Sequence, residues 1–175
     1  MGAKFKKIKV ESNFFCKIIK MNLYFSNKKE RISFKNLDKK DKRRVKNFPN
    51  LLNNSNFISS RWLKFKVKKR RFCISHKDGF SVLSTCDKKI AIDMEIYEKR
   101  DFIKVVDFCF NKNEKKYFYN SSNQKLTFYE IFTTKEAIIK LKNLGFENFK
   151  DVSYFDKNIT KFHILLNGFF ITIVF

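Results

Sequence analysis

Two carboxylates stand two residues apart in Ile90-Ala91-Ile92-Asp93-Met94-Glu95. In an extended strand alternate side chains share a face, so Asp93 and Glu95 fall on one side and Ile92 and Met94 on the other. Like charges at that spacing repel and need a compensating cation; a hard divalent ion that favours oxygen ligands is the natural one. A solvated strand edge in a Lys-rich protein would show the same pattern. Further on, the stretch Phe132-Thr133-Thr134-Lys135-Glu136-Ala137-Ile138-Ile139-Lys140 reads as helix. Phe132, Glu136 and Lys140 recur there every four residues and project together, either as working groups beside an aromatic or as an ordinary ion pair on a solvent face. A third segment, Ile74-Ser75-His76-Lys77-Asp78-Gly79, carries a histidine and a lysine where a strand turns through glycine.

The elements that must position these groups follow from periodicity. Phe14 to Phe25 alternates as a half-buried strand, with a solvated stretch from Ser26 to Lys40. Asp38 caps a helix through Lys42, Arg43, Arg44 and Val45 that ends before Pro49. Phe57, Ile58, Trp62 and Phe65 recur at helical steps and place a second helix over Asn53 to Val67, with Arg61, Lys64 and Lys68 on its polar side. Three strands follow as a meander: Phe72 to Ser75, Phe80 to Cys86 and Lys89 to Glu95. Arg100 to Phe110 and Leu126 to Lys142 show helical spacing, with Gly145 placed to stop the second. The chain closes with a strand near Tyr154 and a strand pair from Phe162 to Phe175. The expected fold is α+β: two similar lobes, residues 1–88 and 89–175, each a small, mainly antiparallel sheet packed with helices.

The 175 residues are 43% hydrophobic and include 23 Phe against 4 Gly and 1 Pro, which excludes collagen-like, low-complexity and wholly disordered classes. Lys and Arg outnumber Asp and Glu by 39 to 17, a formal charge of +22. That balance points to phosphate, nucleic acid, anionic lipid or an acidic protein, although a codon bias towards A and T would also enrich Lys, Asn and Phe. Cys16, Cys73, Cys86 and Cys109 form no Cys-x-x-Cys pair, so neither a zinc cluster nor a disulfide scaffold is indicated, and a reducing cytoplasm fits. Charges interrupt the N-terminal stretch as a signal peptide would not allow, and the run Phe162–Phe175 is too short to span a bilayer, so no membrane partner is expected.

The three chemical segments, in this order and at these separations, resemble the Sfp-type 4′-phosphopantetheinyl transferases. That family shows a Ser-His-Ser segment, then Gly-x-Asp-x-Glu, then Trp-(Ser/Thr)-x-Lys-Glu-(Ala/Ser) with a further Lys. The resemblance runs from Lys42 to Phe175 and is specific in segments 74–95 and 128–145. Ala91 stands where the family has Gly, Phe132 where it has Trp, and Asn143 where the first Gly of a Gly-x-Gly pair is common. Lys77 replaces the second Ser, and an Arg common in the family is missing from Asn53 to Ile58.

The resemblance implies transfer of the phosphopantetheine arm of coenzyme A to a serine of an apo acyl or peptidyl carrier protein, in fatty-acid, polyketide or peptide synthesis. The mid-chain acidic motif resembles the single-chain pseudodimers, so a monomer with one complete site is expected. Asp93, Glu95 and Glu136 are then the Mg²⁺ ligands, with Mn²⁺ as the alternative ion. Glu136 is the expected base and Lys140 a phosphate contact, with Lys135 beside it. His76, on the coenzyme A side in the first lobe, is expected near the 3′-phosphate, and Glu114 stands where many members have another acid. Two rival readings accompany this one. One is a non-catalytic nucleic-acid-binding protein, supported by the charge and by the basic run Lys64 to Arg71 but by no recognisable binding motif. The other is a degenerate transferase that only binds coenzyme A or a carrier.

Overall fold

Two dipeptides, Asp78-Gly79 and Asn167-Gly168, each put successive residues at positive φ, 48° then 78° and 51° then 79°. Such a pair of angles makes the turn whose twist matches that of flanking strands, so each dipeptide closes a two-residue hairpin. One hairpin lies in each of the two units into which the chain divides, Met1–Lys88 and Lys89–Phe175. The structure, a computed structural model, describes residues 6–8, 21–26, 31–68 and 71–175.

The first unit runs β1 (Lys6–Ile8), β2 (Asn22–Ser26), α1 (Lys39–Asn47), α2 (Ser55–Val67), β3 (Cys73–Lys77) and β4 (Phe80–Thr85). Its antiparallel sheet has the order β1-β2-β4-β3. Asp38 starts α1 by accepting the Asp41 N–H at 2.8 Å, and Asn54 starts α2 by accepting that of Phe57 at 2.9 Å. Tyr24, Leu83 and Ile74 lie opposite one another across β2, β4 and β3, and pack with Phe57, Ile58, Trp62 and Leu63 of α2. Each such side chain contributes about 1.5–3 kcal/mol by leaving water. The two helices are fastened by Asp41, buried on α1, whose carboxylate meets Arg61 Nε at 3.0 Å and Lys64 Nζ at 2.9 Å.

The second unit runs β5 (Ala91–Ile96), α3 (Ile103–Cys109), α4 (Lys112–Tyr119), α5 (Gln124–Lys142), β6 (Lys161–Leu166) and β7 (Phe169–Val174), with the antiparallel order β5-β7-β6. The long helix α5 starts where Asn123 accepts the Leu126 N–H and packs against β5 and β7. Much of the phenylalanine surplus goes into its other contacts: Phe102, Phe110, Phe118, Phe128, Phe132 and Phe149 form a chain of ring contacts between 4.4 and 6.4 Å.

The α+β class, the two hairpins and the three main helices agree with the reading of the sequence. Four details differ. The following concern the described residues. The three-stranded meander is instead a hairpin plus a departing strand, because β5 takes β7 as its partner in the other sheet. Asn143, at φ 55°, ends α5, whereas Gly145 is extended and opens a 3-10 turn over Phe146–Lys150. The region of Tyr154 is a series of turns, and α4 was not foreseen although Asn111 and Glu114 carry capping-box spacing. Among the described residues no helix is long and apolar enough to cross a membrane.

Candidate active site

The strand period of two does what the sequence requires of it. Asp93, Thr172 and His163 lie directly opposite one another across β5, β7 and β6 and therefore share a sheet face, with Glu95 two residues along on the same face. Ile92 and Met94 point the other way and are buried. On α5, the residues Tyr129, Thr133, Glu136 and Lys140 fall within about 60° of one another around the helix axis. Three of these four touch the sheet or its extension. The Tyr129 hydroxyl donates to Glu98 O at 3.0 Å, Thr133 Oγ1 meets Thr172 Oγ1 at 2.5 Å, and Lys140 Nζ meets Asp93 Oδ1 at 2.5 Å and Ile92 O at 3.3 Å.

These contacts fix the helix antiparallel to β5. Eleven helical residues from Tyr129 to Lys140 cover about 16 Å, and the strand from Glu98 back to Asp93 covers about 17 Å. On that alignment Glu136 stands level with Glu95. Asp93 is 3% exposed, whereas Glu95, Glu136 and Lys140 are half-buried. A carboxylate so far removed from water requires a cation or strong donors, and the Lys140 ammonium meets that need. The charges reach neighbouring groups as well. Burial pushes the Cys109 thiol up, with Glu136 adding to it, and burial pushes the Tyr129 hydroxyl up, with Glu98 and Glu95 adding.

Among the described residues, no three Asp, Glu, His or Cys side chains stand together as a metal-holding group. Asp93, Glu95 and Glu136 suit Mg²⁺ by donor type, all hard oxygens converging on one strand–helix junction. The buried Asp93 carboxylate already faces a positive group there, so the residues fit a cation in chemistry, without forming a closed cage.

Lys135 has a different place from the one expected. It is wholly buried, its ammonium 2.6 Å from Oε2 of Glu114, which is also wholly buried. Glu114 further accepts the N–H groups of Asn111 at 2.9 Å and Tyr154 at 2.7 Å, so its charge is met from α4, α5 and the turn at Tyr154. Neither side chain can reach a ligand in solvent, which corrects the expectation of Lys135 as a cofactor contact and of Glu114 as a working acid. Its sequence neighbour Glu136 escapes this fate because one residue turns a helix side chain by about 100°. His76 is exposed on β3 of the first unit, opposite Ser81. In that unit Asn56, within the stretch lacking the family Arg, accepts the Gly79 N–H at 2.6 Å and so braces the turn beyond His76 and Lys77.

Sequence reasoning missed His163 and Thr172. Their signal was present in the alternation of the last hairpin, whose register puts them beside Asp93. No curated protein matches the chain. The segment that contains the Asp93–Lys140 junction, the Glu114–Lys135 pair and the closing hairpin, residues 89–173, matches the family model of the 4′-phosphopantetheinyl transferase superfamily.

Proposed function

We propose that the protein transfers 4′-phosphopantetheine from coenzyme A to a serine of an apo acyl carrier protein, as an Sfp-type, single-chain pseudodimer. The supporting observation is the junction of β5 and α5 within the family-matched segment, where the buried Asp93 meets Lys140 and Glu136 stands level with Glu95. The first unit, residues 1–88, is the coenzyme A side in this reading, with exposed His76 available to the 3′-phosphate.

The serine oxygen attacks the phosphorus that bears the pantetheine arm, and the bond from that phosphorus to the bridging oxygen breaks. Adenosine 3′,5′-bisphosphate leaves with the electron pair. Glu136 is the base that takes the serine proton, being a half-buried carboxylate on the sheet-facing stripe of α5. Asp93, Glu95 and Glu136 would hold Mg²⁺, which when bound offsets the negative charge of the pyrophosphate oxygens. Lys140 presents a point charge at the same junction; ligand binding lets it exchange Asp93 for a phosphate oxygen. With Lys135 committed to Glu114, Lys140 carries this task alone on the motif. Positioning and charge neutralisation supply most of the acceleration.

The test is incubation with coenzyme A, Mg²⁺ and several apo carrier proteins, read by intact mass. A mass gain of one phosphopantetheine group on a carrier is expected. No gain on any carrier, together with no thermal shift by coenzyme A and tight binding of an oligonucleotide at physiological salt, would replace this reading by the nucleic-acid one.

A further inference from the structure

Four polar groups run in sequence from the edge of the second sheet into α5. His163 Nδ1 stands 2.9 Å from Thr172 Oγ1, Thr172 Oγ1 stands 2.5 Å from Thr133 Oγ1, and Thr133 Oγ1 stands 2.6 Å from the Tyr129 carbonyl oxygen. Proton counting fixes the direction of every link. A carbonyl only accepts, so the single Thr133 hydroxyl proton goes to Tyr129 O. Thr133 Oγ1 must then accept from Thr172, which spends the single Thr172 proton. Thr172 Oγ1 must in turn accept from His163, and so the neutral imidazole carries its proton on Nδ1. The opposite tautomer would set two lone pairs against each other at 2.9 Å.

The chain matters because of where it ends. Thr133 lies one turn before Glu136 and two turns before Lys140 on the same stripe of α5. Its bond to Thr172 is the middle of three contacts that hold that stripe to the sheet; Tyr129 with Glu98 and Lys140 with Asp93 are the outer two. A Thr133 hydroxyl without a donor from the strand would lose this middle hold, and the helix would be restrained mainly at its ends. We propose that His163 is a positioning residue: by donating from Nδ1 to Thr172 it orients the hydroxyl pair that sets the register of Glu136 and Lys140 against β5. The imidazole is half-buried, with the Phe170 ring centroid at 5.4 Å, and burial, aided by Lys161, brings its pKa down to about 4. The ring is therefore neutral at pH 7, as the assigned tautomer requires.

The catalytic part of this inference rests on the transferase reading, whereas the hydrogen-bond chain does not, and the experiment separates them. Nitrogen-15 NMR of the whole protein at pH 7 should show the His163 proton on Nδ1; a proton on Nε2 overturns the proposal. His163→Asn places an amide donor near the Nδ1 position, and His163→Leu removes the donor. Amide exchange across Thr133 to Lys142 should quicken in His163→Leu and return to near the wild-type rate in His163→Asn. In the transfer assay kcat should fall about ten- to a hundredfold in His163→Leu, the scale expected of an ångström-sized misplacement, and recover in the Asn variant. Should His163→Leu fail to fold, Thr172→Val against Thr172→Ser makes the same comparison. If exchange and kcat are the same with and without the donor, His163 does not position α5. If no variant and no wild-type protein shows transfer, the function falls and the exchange readout alone decides the proposal.

Discussion

The first and second units order their strands alike. In each, a strand is followed by helices and then by a hairpin whose second strand takes the centre of the sheet: β2-β4-β3 in one and β5-β7-β6 in the other. In each, a helix hydroxyl meets a hydroxyl of the central strand, Ser59 with Ser81 at 2.6 Å and Thr133 with Thr172 at 2.5 Å. The only two histidines of the chain stand at matching edge positions, His76 opposite Ser81 and His163 opposite Thr172. The difference lies in what else shares the row. Where the second unit has Asp93, the first has Ser26, and where α5 has Glu136 three residues after its hydroxyl, α2 has Trp62, which is buried. The same scaffold is thus apolar at a junction that, in the second unit, holds carboxylates and a lysine. Fold and chemistry separate at two positions.

The largest effect that would sharpen this contrast is on stability. Removing one partner of the wholly buried Glu114–Lys135 pair leaves an uncompensated charge, so Lys135→Met or Glu114→Gln should cost about 3–5 kcal/mol in urea unfolding. Arg61→Ala beside Asp41 should cost less, because Lys64 and water still reach that carboxylate. Equal losses in the two units would remove the distinction between a sealed and a half-open ion pair.

The next effect is pH-dependent. The His163 pKa lies at about 4 against 6.5 for an ordinary histidine. The unfolded chain therefore binds the extra proton first, and the stabilising contribution is complete above about pH 6.5 and lost as pH falls towards 4. The shift limits the loss to roughly 3 kcal/mol. His163→Asn should flatten this part of the pH–stability curve; an unchanged curve would mean that the imidazole is not held neutral by its site. The smallest effect concerns helix ends. Both α2 and α5 finish in the left-handed region, at Lys68 with φ 49° and Asn143 with φ 55°. Lys68→Gly should stabilise by about 1 kcal/mol and Asn143→Gly by less, since Asn tolerates that region better.

These particulars show what the sequence makes readable. Asp38, Asn54 and the Asp-Gly and Asn-Gly turns act through neighbours within four residues, and they were read correctly. The period of two put Asp93 and Glu95 on one face, again a local rule. What failed was non-local. Nothing near Lys135 says that Glu114, twenty-one residues earlier, takes its charge into the interior. Nor does β5 announce that its partner is the last strand of the chain. The His163 row needed the register of both pairings before it became visible.

The most direct measurement is intact-mass analysis of an apo acyl carrier protein after reaction with wild-type protein, Asp93→Ala, Glu136→Ala and the first-unit control Ser26→Ala, with coenzyme A and Mg²⁺ present and melting temperatures recorded alongside. The expected result is a phosphopantetheine mass gain with wild type and Ser26→Ala, and its loss in Asp93→Ala and Glu136→Ala at little-changed melting temperature. Near-normal transfer by both second-unit variants would contradict the assignment of the chemistry to the β5–α5 junction.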